Sequence, residues 1–186
     1  MIALFPVLAD AVYPDTYLDG FNLALLVARL ILGVTLALHG YKKFFLGGRI
    51  PGTARWFDSM GMKPNGKIHA VLAGTTELTC GTLMILGLLT PFAAAGYVGL
   101  MIVAAWTVHR PHGFWSDSGW EYTMILASFA VLVSLVGPGE YSLDWIIGMD
   151  LSFNPVSAAL ISLGMGISGG VGLLVACYRP PTPNDA

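Results

Sequence analysis

Five long apolar stretches, at roughly 21–40, 68–89, 92–108, 122–137 and 155–177, dominate this chain and decide what solvent it can fold in. Each approaches the roughly 20 residues that a helix needs to cross about 30 Å of hydrocarbon. The charges between them are sorted. Lys42, Lys43, Arg49, Arg55, Lys63 and Lys67 lie between the first two stretches, Arg110 follows the third, and Arg179 follows the fifth. The N-terminal arm and the 138–154 loop hold no Lys or Arg; their charges are Asp10, Asp15, Asp19, Glu140, Asp144 and Asp150. Positive loops stay cytoplasmic, so five crossings place the N-terminus outside and the C-terminus inside. Of the nine Lys and Arg residues, Arg29 alone falls within a stretch.

Only 11% of the residues are charged and 55% are hydrophobic, about half the charged fraction of a soluble domain. The longest loop, about 27 residues, leaves no room for a separate soluble domain. The chain therefore reads as an all-α integral membrane protein. An outer arm covers 1–20, a transmembrane bundle 21–150, a further transmembrane helix 151–178, and a cytoplasmic tail 179–186. The arm lacks the basic n-region of a signal peptide and carries Tyr13, Tyr17 and Phe21 as interface anchors. The basic loop serves topology and contact with lipid headgroups rather than nucleic acid. Cys80 and Cys177 lie at different depths and form no C-x-x-C, so neither a disulfide nor thiol–disulfide chemistry is expected.

Local patterns refine this. Thr53–Met60 reads as a short interfacial helix anchored by Trp56 and Phe57. Ala70, Gly74, Glu77 and Gly81 are spaced 4, 3 and 4 apart and share one face of the second span. Such a stripe lets a neighbouring backbone approach closely in a bilayer. Leu89-Thr90-Pro91 is a tight outer turn that makes spans two and three antiparallel neighbours. The 138–154 loop, with Tyr141, Trp145, Ile146 and Ile147, is too apolar for water and is expected to cap the bundle, with Asp144 solvated or forming a turn. The fifth stretch is crowded with glycine. Its Gly166 and Gly170 form a G-x-x-x-G suited either to another subunit or to the chain's own core.

Arg29 and Glu77 are the charged side chains expected deep in the bilayer, where an unpaired charge costs roughly 2.5–3.5 kcal/mol on insertion scales. At 1.5 Å per residue their depths differ by only a few Å. They read as an ion pair orienting two helices, as a polar site for a quinone headgroup or a proton, or as two groups out of contact. His39, His69, His109 and His112 all fall at the inner boundary. Interfacial or hydrogen-bonding roles fit them better than a metal or haem set, and no metal site is expected. His39, on the helix of Arg29, is the strongest functional candidate of the four.

Ala28-Arg29-Leu30-Ile31-Leu32-Gly33 followed by His39-Gly40-x-x-Lys43 resembles the first helix of the DoxX family. Gly74-x-x-Glu77 with Leu86-Gly87-Leu88-Leu89-Thr90-Pro91 resembles its second helix and turn. Trp120-Glu121-Tyr122, and later Gly137-Pro138-Gly139 with Ser142-Leu143-Asp144, resemble its fourth helix and exit loop. The resemblance spans about residues 22–146. It implies a four-helix membrane bundle in a bacterial plasma (inner) membrane. It also implies kinship with small subunits of quinone-linked oxidoreductases, such as thiosulfate:quinone oxidoreductase, and with mycobacterial members of membrane redox complexes. The fifth stretch is an addition to that pattern.

The expectation is thus an accessory subunit of a respiratory or redox complex that helps to bind or pass quinone. Arg29, His39 and Glu77 would line its polar site, and Trp106 and Trp120 would be aromatic walls. Any catalysis would belong to the complex as a quinone-linked oxidoreductase, with no catalytic residue and no tightly bound cofactor here, quinone aside. Partners would be membrane lipid and other membrane subunits, with a homo-oligomer compatible and Gly166 and Gly170 as interface candidates. The alternative is a non-catalytic structural or assembly subunit.

Overall fold

The computed structural model describes residues 15–115 and 117–180; Tyr13, most of the expected arm and residues 181–186 of the tail lie outside them. The described residues form an all-helical multi-pass membrane bundle. α1 spans Asp15–Phe45, so the last part of the expected arm continues the first span. α2 (Arg49–Ser59) is the short helix of the basic loop. α3 (Gly66–Leu86) starts at an Asn65 cap whose side chain accepts from the Ile68 N–H. α4 (Thr90–Ala104) widens into a π-helical turn, Ala105–His109, and ends in a 3-10 turn, Arg110–His112. α5 (Glu121–Val136) is shorter, about 24 Å at 1.5 Å per residue. A four-residue helix α6 (Leu143–Ile146) lies in the loop that follows. The fifth span comprises α7 (Pro155–Ala159), a π-helical turn Leu160–Met165, and α8 (Gly166–Cys177). Four helices are long and apolar enough to cross a membrane, and α5 is a shorter apolar one.

The core gathers Leu32 and Leu36 from α1, Met84 from α3, Ala93, Ala94 and Tyr97 from α4, and Ala130 and Val133 from α5. Outside it, Ile31, Leu38, Ile125, Leu132, Leu160 and Val175 are exposed. A continuous apolar exterior of this kind is a surface for hydrocarbon, since water-soluble monomers rarely carry one.

α1 packs closely along α3, and the expected small-residue stripe is the reason. A Cβ built on Gly81 would lie 2.7 Å from the Gly33 carbonyl oxygen, and one on Gly40 would lie 2.8 Å from the Gly74 carbonyl oxygen. Two glycines on each helix, seven residues apart, thus set an antiparallel register.

That register separates Arg29 from Glu77, against expectation. Arg29 is fully buried and donates to the Tyr141 carbonyl and, at 3.5 Å, to the Ile85 carbonyl. Ile85 is eight residues beyond Glu77 on α3, about 12 Å along the axis. Counting from residue 21 put Arg29 too low because α1 rises past the Leu86 end of α3: in the glycine register residue 29 already stands opposite Ile85, next to that end. Asp144 is likewise fully buried rather than solvated. Its carboxylate accepts from the Leu89 N–H at 2.8 Å, the Thr90 N–H at 3.0 Å and the Thr90 hydroxyl at 2.9 Å, capping α4 from a distant loop. Its charge also acts on Arg29. Gly87 ends α3 with φ +61°, and a Cβ there would fall on the Arg29 guanidinium. The 138–154 loop is held down by this knot and by Asn22, whose side chain accepts from the Glu140 N–H at 3.1 Å.

Span five belongs to the chain's own bundle. Cβ atoms on Gly166 and Gly170 would meet Val98 and Gly99 of α4 at 2.5 Å and 2.9 Å. Those glycines therefore serve internal packing rather than facing another subunit. The end of α8 is tied to the basic loop by Lys63 N–H to the Cys177 carbonyl, 2.8 Å, and Arg179 N–H to the Gly61 carbonyl, 2.9 Å.

Candidate functional site

The buried carboxylate of Glu77 pairs with Lys43, whose Nζ lies 2.6 Å from both of its oxygens. Both side chains are mostly covered, 17% and 11% exposed. Helical side chains tilt toward the helix N-terminus, so Lys43, near the C-terminal end of α1, reaches up its own helix to Glu77. His39, one turn before Lys43, lines the same cavity as the pair.

This pair lies in the wall of a cavity of about 250 Å³ enclosed by α1, α3, α4, α5 and the α2 helix beneath them. Its apolar lining includes Leu36, Leu100, Met101 and Leu126, and its polar groups include His39, Lys43, Glu77, Tyr97, His109, Tyr122, Thr35, Thr107 and Thr123. The π turn supplies Thr107 and His109; such wide turns recur at functional sites. Hydrogen bonds fix what each group offers. The Tyr97 hydroxyl donates to the Leu32 carbonyl, which leaves its oxygen as an acceptor. His109 Nδ1 donates to the Ser118 carbonyl at 2.7 Å, so Nε2 of the neutral ring is an acceptor. The Lys43 ammonium spends two of its three protons on Glu77 and keeps a third. The chamber thus offers a cationic donor and two or more acceptors within apolar walls.

His39, Lys43 and Trp56 also line a second cavity of about 350 Å³ at the basic end, bordered by Lys42 and Arg49. The same three residues therefore stand between the chamber and the charged surface.

Of the expected site residues, the structure brings His39 and Glu77 together in the chamber and leaves three out. Arg29 belongs to the knot at the opposite end. Trp106 is half exposed with the Arg110 guanidinium 4.1 Å above its ring, and Trp120 packs edge-on against Phe114 at 4.7 Å. Neither indole lines the chamber, whose aromatic walls are Trp56, Phe57, Tyr97 and Tyr122. Phe57, expected as an anchor, is buried beside the His69 ring at 6.1 Å, whereas Trp56 stays half exposed. His69 Nε2 donates to the Lys63 carbonyl at 2.7 Å. Among the described residues no three His, Cys, Asp or Glu converge on a metal-binding point.

The profile of the DoxX family matches residues 24–110, from α1 through the π turn of α4. A Mycobacterium tuberculosis protein named "Uncharacterized membrane protein Rv3486" is 33% identical over 129 residues, 62% of this chain and 76% of that protein. A Bacillus subtilis protein named "Putative oxidoreductase CatD" is 28% identical over 124 residues, 67% of this chain and 87% of that protein. No solved structure gives a significant match.

Proposed function

This chain belongs to the DoxX family of membrane proteins, and on that premise we propose that it is an inner-membrane subunit of a redox complex whose chamber receives the headgroup of a quinone. The observation that carries the proposal is the chamber itself: a charged pair, two imidazoles and two phenols set in apolar walls within a membrane bundle. Small-molecule sites have this character, an apolar lining with a few placed polar groups. A quinone ring presents two carbonyl acceptors, and the free Lys43 proton is a donor for one. A hydroquinone presents two hydroxyl donors, and Tyr97 and His109 Nε2 are acceptors for them. Interconversion moves two electrons and two protons. The electrons are assigned to a redox cofactor in a partner subunit, while Glu77, Lys43 and His39 are the groups of this chain placed to exchange protons. The relative named as an oxidoreductase supports the same class.

The test is gentle solubilisation of native membranes followed by mass spectrometry of what stays bound. Quinone near stoichiometry together with a redox enzyme subunit is the expected result, with the quinone lost in Glu77→Gln. A bundle free of quinone under conditions that preserve its complex would contradict the proposal. A second reading, a structural subunit, is favoured by one feature: Lys43 Nζ bonds both Glu77 oxygens and so ties α1 to α3. That reading expects a neutral double replacement to keep the complex fully active.

A further inference from the structure

We infer that the basic cavity between α1 and α2 binds the phosphate of an anionic phospholipid, with the acyl chains lying along the outside of the bundle. The cavity has a volume of about 350 Å³ and is walled by the last turns of α1, the connection after it and the first turns of α2. Lys42, Lys43 and Arg49 line it, and among the described residues no Asp or Glu does. Lys43 is neutralised by Glu77. Lys42 and Arg49 have no carboxylate partner among the described residues. Two uncompensated cations facing one hollow repel each other, and an anion between them turns that repulsion into attraction. The backbone adds donors to the side chains. Gly47 (φ +57°), Gly48 (φ −71°) and Arg49 (φ +52°) alternate in hand, the pattern by which successive N–H groups form an anion-binding concavity. The N–H groups of Gly47, Gly48 and Ile50 have no acceptor among the described residues.

Position and charge decide the class of anion. The cavity opens at the end of a helix long and apolar enough to cross the membrane, where lipid headgroups lie. Its rim carries Leu46 and Trp56, both about half exposed, and exposed Phe45 precedes Leu46. These are apolar contacts for acyl chains that a small free anion does not need. A zwitterionic lipid offers the same phosphate but brings a cationic amine, which meets Lys42 and Arg49 and finds no carboxylate on the wall. Phosphatidylglycerol brings the phosphate and two hydroxyls without that amine. The cavity therefore selects anionic over zwitterionic headgroups. This reading does not depend on what occupies the chamber.

The test is native mass spectrometry of the full chain released from nanodiscs of mixed phosphatidylglycerol and phosphatidylcholine, counting the lipid of each class that stays bound. The intact protein should retain phosphatidylglycerol in preference. Lys42→Gln combined with Arg49→Gln should weaken that retention about thirtyfold, the effect of removing two cations at the membrane surface. Lys63→Gln combined with Lys67→Gln is the control. It removes the same charge from the same basic loop, and neither residue lines the cavity; retention should be unchanged. Thr53→Glu, which sets a carboxylate in the cavity wall, repeats the test should the first double variant fail to accumulate, and should abolish the preference. Equal loss in both double variants assigns the preference to overall charge and overturns the site. So does an intact protein that retains both lipids equally. Inorganic phosphate is the remaining arm. Added to phosphatidylcholine nanodiscs, it should leave the melting temperature of the intact protein unchanged. A rise that Lys42→Gln with Arg49→Gln abolishes would make free phosphate the occupant and overturn the lipid assignment.

Discussion

Lys43 Nζ lies 2.6 Å from each oxygen of Glu77, and this pair, not Arg29 with Glu77, is the charge contact that joins α1 to α3. The two buried charges of the membrane interior thus have separate partners at opposite ends of the bundle. Glu77 sits with Lys43 in the chamber. Arg29 sits under the loop of Tyr141 and Asp144.

Breaking the Lys43–Glu77 pair on one side should cost stability. Loss of one partner of a buried pair costs about 3–5 kcal/mol in soluble proteins. Lys43→Met and Glu77→Gln are each expected to lower the melting temperature in detergent, and Lys43→Met with Glu77→Gln to recover most of it. Arg29→Met with Glu77→Gln should instead be additive, because the sites share no contact. A coupling energy between positions 29 and 77 larger than that between 43 and 77 would contradict the structure.

The outer knot should be purely structural. Asp144→Ala leaves the Leu89 and Thr90 N–H groups without their acceptor. A loss of about 1–3 kcal/mol is expected for each buried group left unpaired. Gly87→Ala should be at least as damaging, since its Cβ would fall on the guanidinium of Arg29. Thermal unfolding measures both, and ligand affinity in the surviving folded fraction should be unchanged.

The glycines of span five should divide into two classes. Gly166→Leu and Gly170→Leu place bulk against α4 and should prevent the isolated bundle from accumulating. A Cβ at Gly164 or Gly172 meets nothing within 4 Å among the described residues, so Gly164→Leu and Gly172→Leu should be tolerated or slightly stabilising, since leucine is a better helix former than glycine. Expression in the absence of any partner subunit separates the classes.

The charge partition predicts the topology. A cysteine at Glu140 should react with an impermeant maleimide from the periplasmic side, and one at Lys63 should not. Labelling at position 63 from outside would reverse the bundle and place the basic cavity beside His39 and Lys43 on the wrong face.

Much of this was legible in the residues. The apolar runs gave the helices, the small-residue stripe gave the contact face of α3, and Leu89-Thr90-Pro91 gave the hairpin of α3 and α4. The register was legible too, though it had to be read from glycine pairs rather than from depth. Gly33 and Gly40 are seven apart, as are Gly74 and Gly81, and matching them antiparallel brings Glu77 beside residues 37–40, one turn from Lys43. Counting depth from the first apolar residue hid this, because a helix in lipid extends beyond its apolar core. Asp144 escaped for another reason. An aspartate in a loop ordinarily meets water, and only tertiary folding shows that it caps a helix some 54 positions earlier in the chain. Trp106 and Trp120 misled because an aromatic near a membrane boundary is as useful at the interface as in a site, and the wide turn at Ala105–His109 decides which residues of that segment face the chamber.

The central claim is that a quinone ring sits in the chamber beside Glu77 and Lys43. Photo-crosslinking with an azido-quinone in native membranes, followed by peptide mass spectrometry, tests it directly. The account predicts adducts on the chamber-lining segments around Tyr97–Thr107 and Tyr122–Leu126, lost when Glu77→Gln and Lys43→Met are combined. Adducts confined to lipid-facing positions such as Ile31, Leu132 or Val175, or an unchanged pattern in the double variant, would contradict it.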